Sequence, residues 1–226
     1  VGNFLQKARE LFIRTVYPHD IACAICSSEV DVAPGYGVCA LCASRLPRVT
    51  EGISADGRAF DGLAAPFYYE TPVKELVHRF KYDNKRYISK GLAHYMKDAV
   101  DQAGFSGMDA AVPVPLHETR VKERGFNQAA LLAAELAPLL GIPVYEDVLV
   151  RVQETRTQTL LPREEREQNV KDAFAVPESV DVSGLTLLLV DDVVTTGATV
   201  EAAARTLKAA GARAVYVASA CTRALE

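Results

Sequence analysis

Two groups of residues in this sequence have the types and spacing that chemistry needs. The first is Cys23, Cys26, Cys39 and Cys42, arranged C-x2-C-x12-C-x2-C. Each pair can bite one side of a tetrahedral metal ion, and four thiolates with no open position describe a structural zinc site rather than a catalytic one. Pro18, Pro34, Gly35 and Gly37 supply turns, and the segment has too few large apolar residues for a core of its own. Zinc would then supply folding free energy on the order of 10 kcal/mol. Two disulfides or four ordinary buried thiols are the competing readings. With no secretory signal in the sequence, reduced thiols are expected. Cys221, far away at the end of an apolar strand, reads as a small core residue.

The second group is Leu185 to Thr199, LTLLLVDDVVTTGAT. It reads as a buried strand ending in paired carboxylates, then a hydroxyl-rich loop of small residues, then a helix. In an open parallel sheet, ligands bind at this carboxyl edge. Thr195, Thr196, Gly197, Ala198 and Thr199 offer successive N–H groups and hydroxyls at the positive end of a helix, which suits a phosphate. Asp191 and Asp192, acceptor-only groups when ionised, suit the vicinal hydroxyls of a ribose. Phosphate on one side and diol on the other describe a ribose 5-phosphate. Simple helix capping would leave the paired acids unexplained. A receiver-type acidic pair would come early in its domain, not near the end of the chain. The sequence has neither G-x-x-x-x-G-K-[ST] nor G-x-G-x-x-G, so nucleoside-triphosphatase and Rossmann sites are unsupported.

The elements that must position these groups follow the same logic. The length of 226 residues suggests one sizeable core and a small accessory unit. A net charge of −4, with 24% charged and 49% hydrophobic residues, disfavours wholesale disorder and a histone-like coat of charge. The sequence has no apolar run long enough for a membrane helix, so membrane insertion is not expected and a cytoplasmic protein is. Residues 3–16 carry a helical apolar stripe, and Pro47 to Asp61 reads as linker or loop. A β-prone patch spans Ala65 to Tyr69. Helices are expected from Thr71-Pro72 through about Tyr82 and from about Tyr87 to Ala103. Between them, His78 to Lys90 carries a local charge of +4, usually just a solvated face. From Asp109 onward, strand and helix alternate, which predicts an α/β fold with a parallel sheet flanked by helices. The expected strands are Ala110 to Val114, Tyr145 to Val152, Leu185 to Val190 and Ala214 to Ala218; the expected helices are Phe126 to Leu140 and Thr199 to Ala210.

Val190 to Thr199 resembles the phosphoribosyl pyrophosphate (PRPP) motif of type I phosphoribosyltransferases. The wider chain resembles the ComF family of competence-associated proteins, which join a zinc knuckle to that fold. The resemblance is carried by the four cysteines, Phe80-Lys81-Tyr82, Val112 to Leu116, Arg124 to Gln128, and Thr157-Gln158 followed by Leu161, Arg166 and Asn169. It implies an N-terminal helix and knuckle over 1–60 and a phosphoribosyltransferase-like domain over 61–226, with 61–105 as the hood over the acceptor. It also implies that PRPP is bound with Mg2+ by Asp191, Asp192, Val193, Thr195 to Thr199, Pro115, Leu116, Arg120 and Arg124. Lys81 would reach the site from the N-terminal half and join Asp191, Asp192 and Arg124 in catalysis. Arg156, Gln158, Arg163 and Arg166 would sit on a loop that closes over PRPP. Arg120, Lys122 and Arg124 are suitable partners for pyrophosphate, with a solvated helix start as the competing reading, stronger for Lys122 than for Arg124. The family implies a role in internalising single-stranded DNA during natural transformation, with DNA and a competence helicase or translocase as partners. The alternative is an active phosphoribosyltransferase of nucleobase salvage with no direct role on DNA.

Overall fold

A computed structural model of the chain describes residues 23–28, 37–83, 85–152 and 173–223. The helix expected over 3–16 and the loop residues Arg156, Gln158, Arg163 and Arg166 lie outside them. In chain order the described elements begin with α1 (Ala40–Ala43), β1 (Gly62–Ala64), α2 (Val73–Tyr82), α3 (Ile88–Gln102), β2 (Ala110–Pro113) and α4 (Glu118–Arg124). They continue with α5 (Gln128–Leu140), β3 (Val150–Arg151), β4 (Phe174–Ala175), β5 (Thr186–Val194), α6 (Ala198–Ala209) and β6 (Ala214–Thr222).

The main sheet has strand order β1-β6-β5-β2, and every pairing in it is parallel. Side chains of a strand alternate between its two faces, so a strand buried on both reads as a continuous apolar run. β5 behaves this way. Leu188 and Val190 enter one apolar layer, beneath α2, α3 and α5, while Leu187 and Leu189 enter the other, beneath α6. Each fully buried leucine is worth roughly 1.5–3 kcal/mol. The first layer also holds Ala24 and Leu46, so the cysteine segment packs on the same core as α2 and α3. Arg79 fastens that contact by donating to the carbonyls of Ala24 and Ile25, both at 2.9 Å. No helix among the described residues is long and apolar enough to cross a membrane.

The four helices expected within the described residues fall within two residues of their predicted bounds, whereas the strands differ. The β-prone Ala65 to Tyr69 patch is not the strand; β1 is Gly62–Ala64, and Phe67 and Tyr68 make single bridges only. Phe67 is fully buried in the core, whereas Tyr68 and Tyr69 stay half-buried. Tyr145 to Val152 forms no continuous strand: Val144 bridges Ala111, and only Val150–Arg151 pairs, antiparallel, with Phe174–Ala175. Both β5 and β6 run further than their apolar patterns suggested, to Val194 and Thr222. Asp191 and Asp192 therefore lie within the strand and not beyond its end. Pro47 to Asp61 is no free linker either. The Ala59 N–H donates to Glu201, and Asp61 both accepts from the Val215 N–H and pairs with Lys208. The cis peptide bond among the described residues is Thr71–Pro72.

Candidate functional site

Three chain segments converge where β2 and β5 end. β2 leads through Val114 to Leu116 into α4, whose first turn is capped by His117 Nδ1 accepting from the Thr119 N–H at 3.4 Å. Gly125, at φ 77°, ends α4 in a left-handed turn that favours glycine. Asn127 caps α5 through its side-chain oxygen and ties that helix start to the sheet, its Nδ2 donating to the Val114 carbonyl at 3.0 Å. β5 passes its acids and enters α6 at Gly197, whose φ of 81° again favours glycine. α2 lies over the opening.

Between them is a cleft of about 440 Å³. Of the residues expected from sequence, it is lined by Lys81, Leu116, Arg120, Arg124, Asp191, Asp192, Val193, Thr195 and Thr199. Thr196, Gly197 and Ala198 line a small concavity of about 20 Å³ next to it, which shares Asp191, Val193, Thr195 and Thr199 with the cleft. The start of α6 and three threonines border this concavity, the kind of helix N-terminus that suits an anion. Arg120 and Arg124, one turn apart on α4, share its cleft side. Pro115 and Lys122 are not among the lining residues of either space, and Lys122 is exposed.

The acid pair is asymmetric. Asp192 is buried and bound by Lys81, Nζ to Oδ2, at 3.0 Å. Burial works against the Lys81 charge, but the charge of Asp192 and its hydrogen bond outweigh it and hold the amine above its usual pKa. Asp191 keeps some water access at the cleft floor and accepts from the Asp192 N–H at 2.8 Å. Burial, then the neighbouring Asp192 charge, push its carboxyl up to about 7. Beneath them, burial also raises the Cys221 thiol, which donates to the Asp192 carbonyl at 3.6 Å. Cys221 is the core residue its sequence position suggested.

Sequence reasoning missed several cleft residues. Arg151 hid between two valines of an apparent strand; its guanidinium lies 5.4 Å from the centroid of its cross-strand partner, Phe174. Burial, then the Arg120 charge, lower its pKa, and Asp191 opposes them. Tyr69, His78, Tyr82, Gln128 and Arg223 also line the cleft. Only its terminal position, just beyond a strand end, signalled Arg223, whereas Tyr82 and Gln128 lay inside the quoted motifs. The basic stretch His78 to Lys90 is more than a solvated face. Arg79 holds the cysteine segment, Lys81 holds Asp192, and Arg86 covers the Phe126 ring at 4.7 Å.

The four cysteines gather with all their sulfurs within 4.8 Å of one another. Zinc–sulfur bonds of about 2.3 Å in a tetrahedron put sulfurs about 3.8 Å apart, and Cys26 and Cys39 stand at 3.7 Å. Backbone N–H groups of Ile25 and Cys39 donate to Cys23 Sγ, and that of Cys42 donates to Cys39 Sγ. Such donors stabilise thiolates, so the cluster is a site that could hold a metal ion such as zinc.

The family model described as Phosphoribosyl transferase domain matches residues 124–225. "Competence protein F" of Haemophilus influenzae is 31% identical over 203 residues, covering 86% of this chain and 87% of that protein. "DNA utilization protein YhgH" of Salmonella typhimurium is 39% identical over 153 residues, 66% of each chain. "Competence protein ComFC" of Bacillus subtilis is 26% identical over 209 residues, 88% of this chain and 82% of that protein. The sheet and its helices are those of a type I phosphoribosyltransferase fold.

Proposed function

The chain belongs to the ComF family of competence-associated proteins, and on that premise we propose that its cleft binds PRPP with Mg2+ and that the protein acts in the cytoplasm in natural competence. Its task there is the internalisation of single-stranded DNA beside a helicase or translocase; family membership supports this part. The observation that carries the ligand assignment is the convergence of a vicinal acid pair, a helix N-terminus and an excess of cations on one cleft. Among the described residues, Lys81, Arg120, Arg124, Arg151 and Arg223 line it against Asp191 and Asp192. That balance suits a polyanion, in a chain whose net charge is −4.

In this reading the 5-phosphate sits at Thr195 to Thr199, and Asp191 and Asp192 accept from the ribose hydroxyls. Arg120 and Arg124 face the pyrophosphate, with Arg151 joining them from β3. Guanidinium forks stabilise charge that grows on departing pyrophosphate. Mg2+ prefers hard oxygen ligands, and here these are chiefly the ligand's own, with Asp191 as the protein carboxylate that Lys81 does not hold. When bound, it neutralises part of the phosphate charge. The four-cysteine cluster holds structural zinc, and residues 61–105 serve as the hood of a domain that runs over 61–226.

Calorimetry with PRPP and Mg2+ tests the site. Binding is expected in the wild type and is expected to vanish in Asp191→Ala with Asp192→Ala; binding that survives both changes would sink the assignment. Pyrophosphate release across a panel of bases then separates turnover from binding alone. Transformation frequency in a strain carrying the double variant tests the role in competence, which predicts a loss.

A further inference from the structure

The chain leaving β2 cannot extend its own ladder. Residues 112–115 read Val-Pro-Val-Pro, and proline has no N–H to donate. The Val114 N–H is the last of this segment to reach β5, donating to the Val190 carbonyl at 2.8 Å, one residue before the acid pair. Pro115 ends the ladder there. Leu116, the next residue with an N–H, lines the cleft and donates to no backbone carbonyl among the described residues.

A side chain takes over where the ladder stops. Val114 is buried, and a buried carbonyl needs a donor. Asn127 supplies one, its Nδ2 donating at 3.0 Å. At the same time its Oδ1 accepts the Ala129 N–H at 3.0 Å and caps α5. The separate donor and acceptor of one amide let it serve both partners at once. Val114 is therefore held from two sides, its N–H by β5 and its carbonyl by the start of α5. Capping alone does not require asparagine, since Ser and Asp cap about as well. What the amide donor adds is a fixed Val114–Pro115 peptide, with its oxygen committed to the protein, at the point where the chain turns along the cleft toward α4.

Resting on the PRPP reading, we infer that Asn127 is a positioning residue for the pyrophosphate: it fixes the turn from Val114 to Leu116 that leads into α4, the helix that carries Arg120 and Arg124. A turn set in advance spares the ligand the cost of ordering it. It also keeps a free carbonyl oxygen from facing the anion. The sugar end does not depend on this tie, because Asp191, Asp192 and the loop before α6 belong to β5 and its continuation.

Asn127→Ser and Asn127→Asp each keep a side-chain oxygen for the α5 cap and lose the amide donor. Asp adds a charge and Ser does not, so an effect shared by both belongs to the lost donor. The zinc-loaded full chain is titrated by calorimetry, with Mg2+ present, against PRPP, inorganic pyrophosphate and ribose 5-phosphate. Both variants are expected to bind PRPP and pyrophosphate about tenfold more weakly or worse, as a misplacement of about 1 Å can produce, while ribose 5-phosphate affinity stays within about twofold. A merely structural loss would weaken all three ligands together. Equal weakening of all three, full PRPP and pyrophosphate affinity in either variant, or wild-type protein that binds neither overturns the positioning role. Wild-type PRPP binding that both variants retain sinks this role alone and leaves the PRPP reading standing. Wild-type protein that binds pyrophosphate but not PRPP or ribose 5-phosphate, with pyrophosphate weakened in both variants, sinks the PRPP reading and leaves Asn127 its role at an anion site.

Discussion

Replacing Asp191 by Asn should stabilise the ligand-free protein at pH 8 while destroying its ligand site. Burial and the adjacent Asp192 charge push the Asp191 carboxyl up to about 7, against about 3.9 for a free aspartate. Between those values the folded chain holds a proton that the unfolded chain has released. Stability therefore rises as the pH falls through about 7, with a limiting slope of about 1.4 kcal/mol per pH unit, and levels off below about 4. From pH 8 to pH 5 the gain approaches about 2–3 kcal/mol, a ceiling because water still reaches the cleft floor. In Asp191→Asn the side chain is neutral throughout. Its Oδ1 can still accept the Asp192 N–H, as Asp191 does at 2.8 Å, and its amide can face the Asp192 carboxylate. The variant should exceed the wild type at pH 8 by about 1–3 kcal/mol, a midpoint shift of roughly 2–12 °C for a chain of this size. The assay is thermal or urea unfolding of both proteins, zinc-loaded, at pH 5 and pH 8, taken as a difference so that other titrating groups cancel. A variant less stable than wild type at pH 8, or an advantage that does not shrink by pH 5, would refute the account of the acid pair.

Three further outcomes follow from named contacts. Lys81→Met leaves Asp192 without its 3.0 Å partner and should cost about 2–4 kcal/mol in denaturant unfolding, with little salt dependence; an unchanged midpoint would contradict the pair's role. Arg79→Ala removes both donors to the Ala24 and Ile25 carbonyls and should speed hydrogen exchange across residues 23–28, so unaltered exchange there counts against this fastening. Metal analysis of freshly reduced protein should find one zinc per chain, and its chelation should lower the unfolding midpoint; protein without zinc would overturn the four-thiolate site.

The sequence signals that succeeded were those set by short-range physics. The apolar run of β5, the helix stripes on α2 and α3, and the spacing of the cysteines each depend on residues a few positions apart, so periodicity exposed them. The signals that failed depended on partners distant in the chain. Nothing local says that Phe67 will sink into the core between strands, or that the strand through Asp191 continues to Val194 because β6 pairs with it that far. Arg151 illustrates the same limit at the site. A cation between two valines reads as the outward residue of a strand. Its place in the cleft becomes visible only when Phe174, 23 positions later, holds the guanidinium and Arg120 stands nearby.

Among the described residues, two polar ties join α2 to the site, Lys81 to Asp192 and Tyr82 to Arg124. The rest of that helix is fixed by buried Val73, Leu76, Val77 and Phe80 in the same core as β5. A helix set so firmly cannot follow the ligand as a rigid lid, because moving it would expose that apolar face. Its charged and aromatic ends can nevertheless respond one side chain at a time. A ribose hydroxyl arriving at Asp192 must share that carboxylate with Lys81, and a phosphate arriving at Arg124 must share it with Tyr82 and Gln128. Ligand at the sugar and pyrophosphate positions therefore competes with the two contacts that tie α2 to the site. Tyr82→Phe, which removes one of the acceptors that hold Arg124, should then tighten PRPP binding in calorimetry. Unchanged or weaker binding would show that the Tyr82 hydroxyl does not compete with the ligand for Arg124.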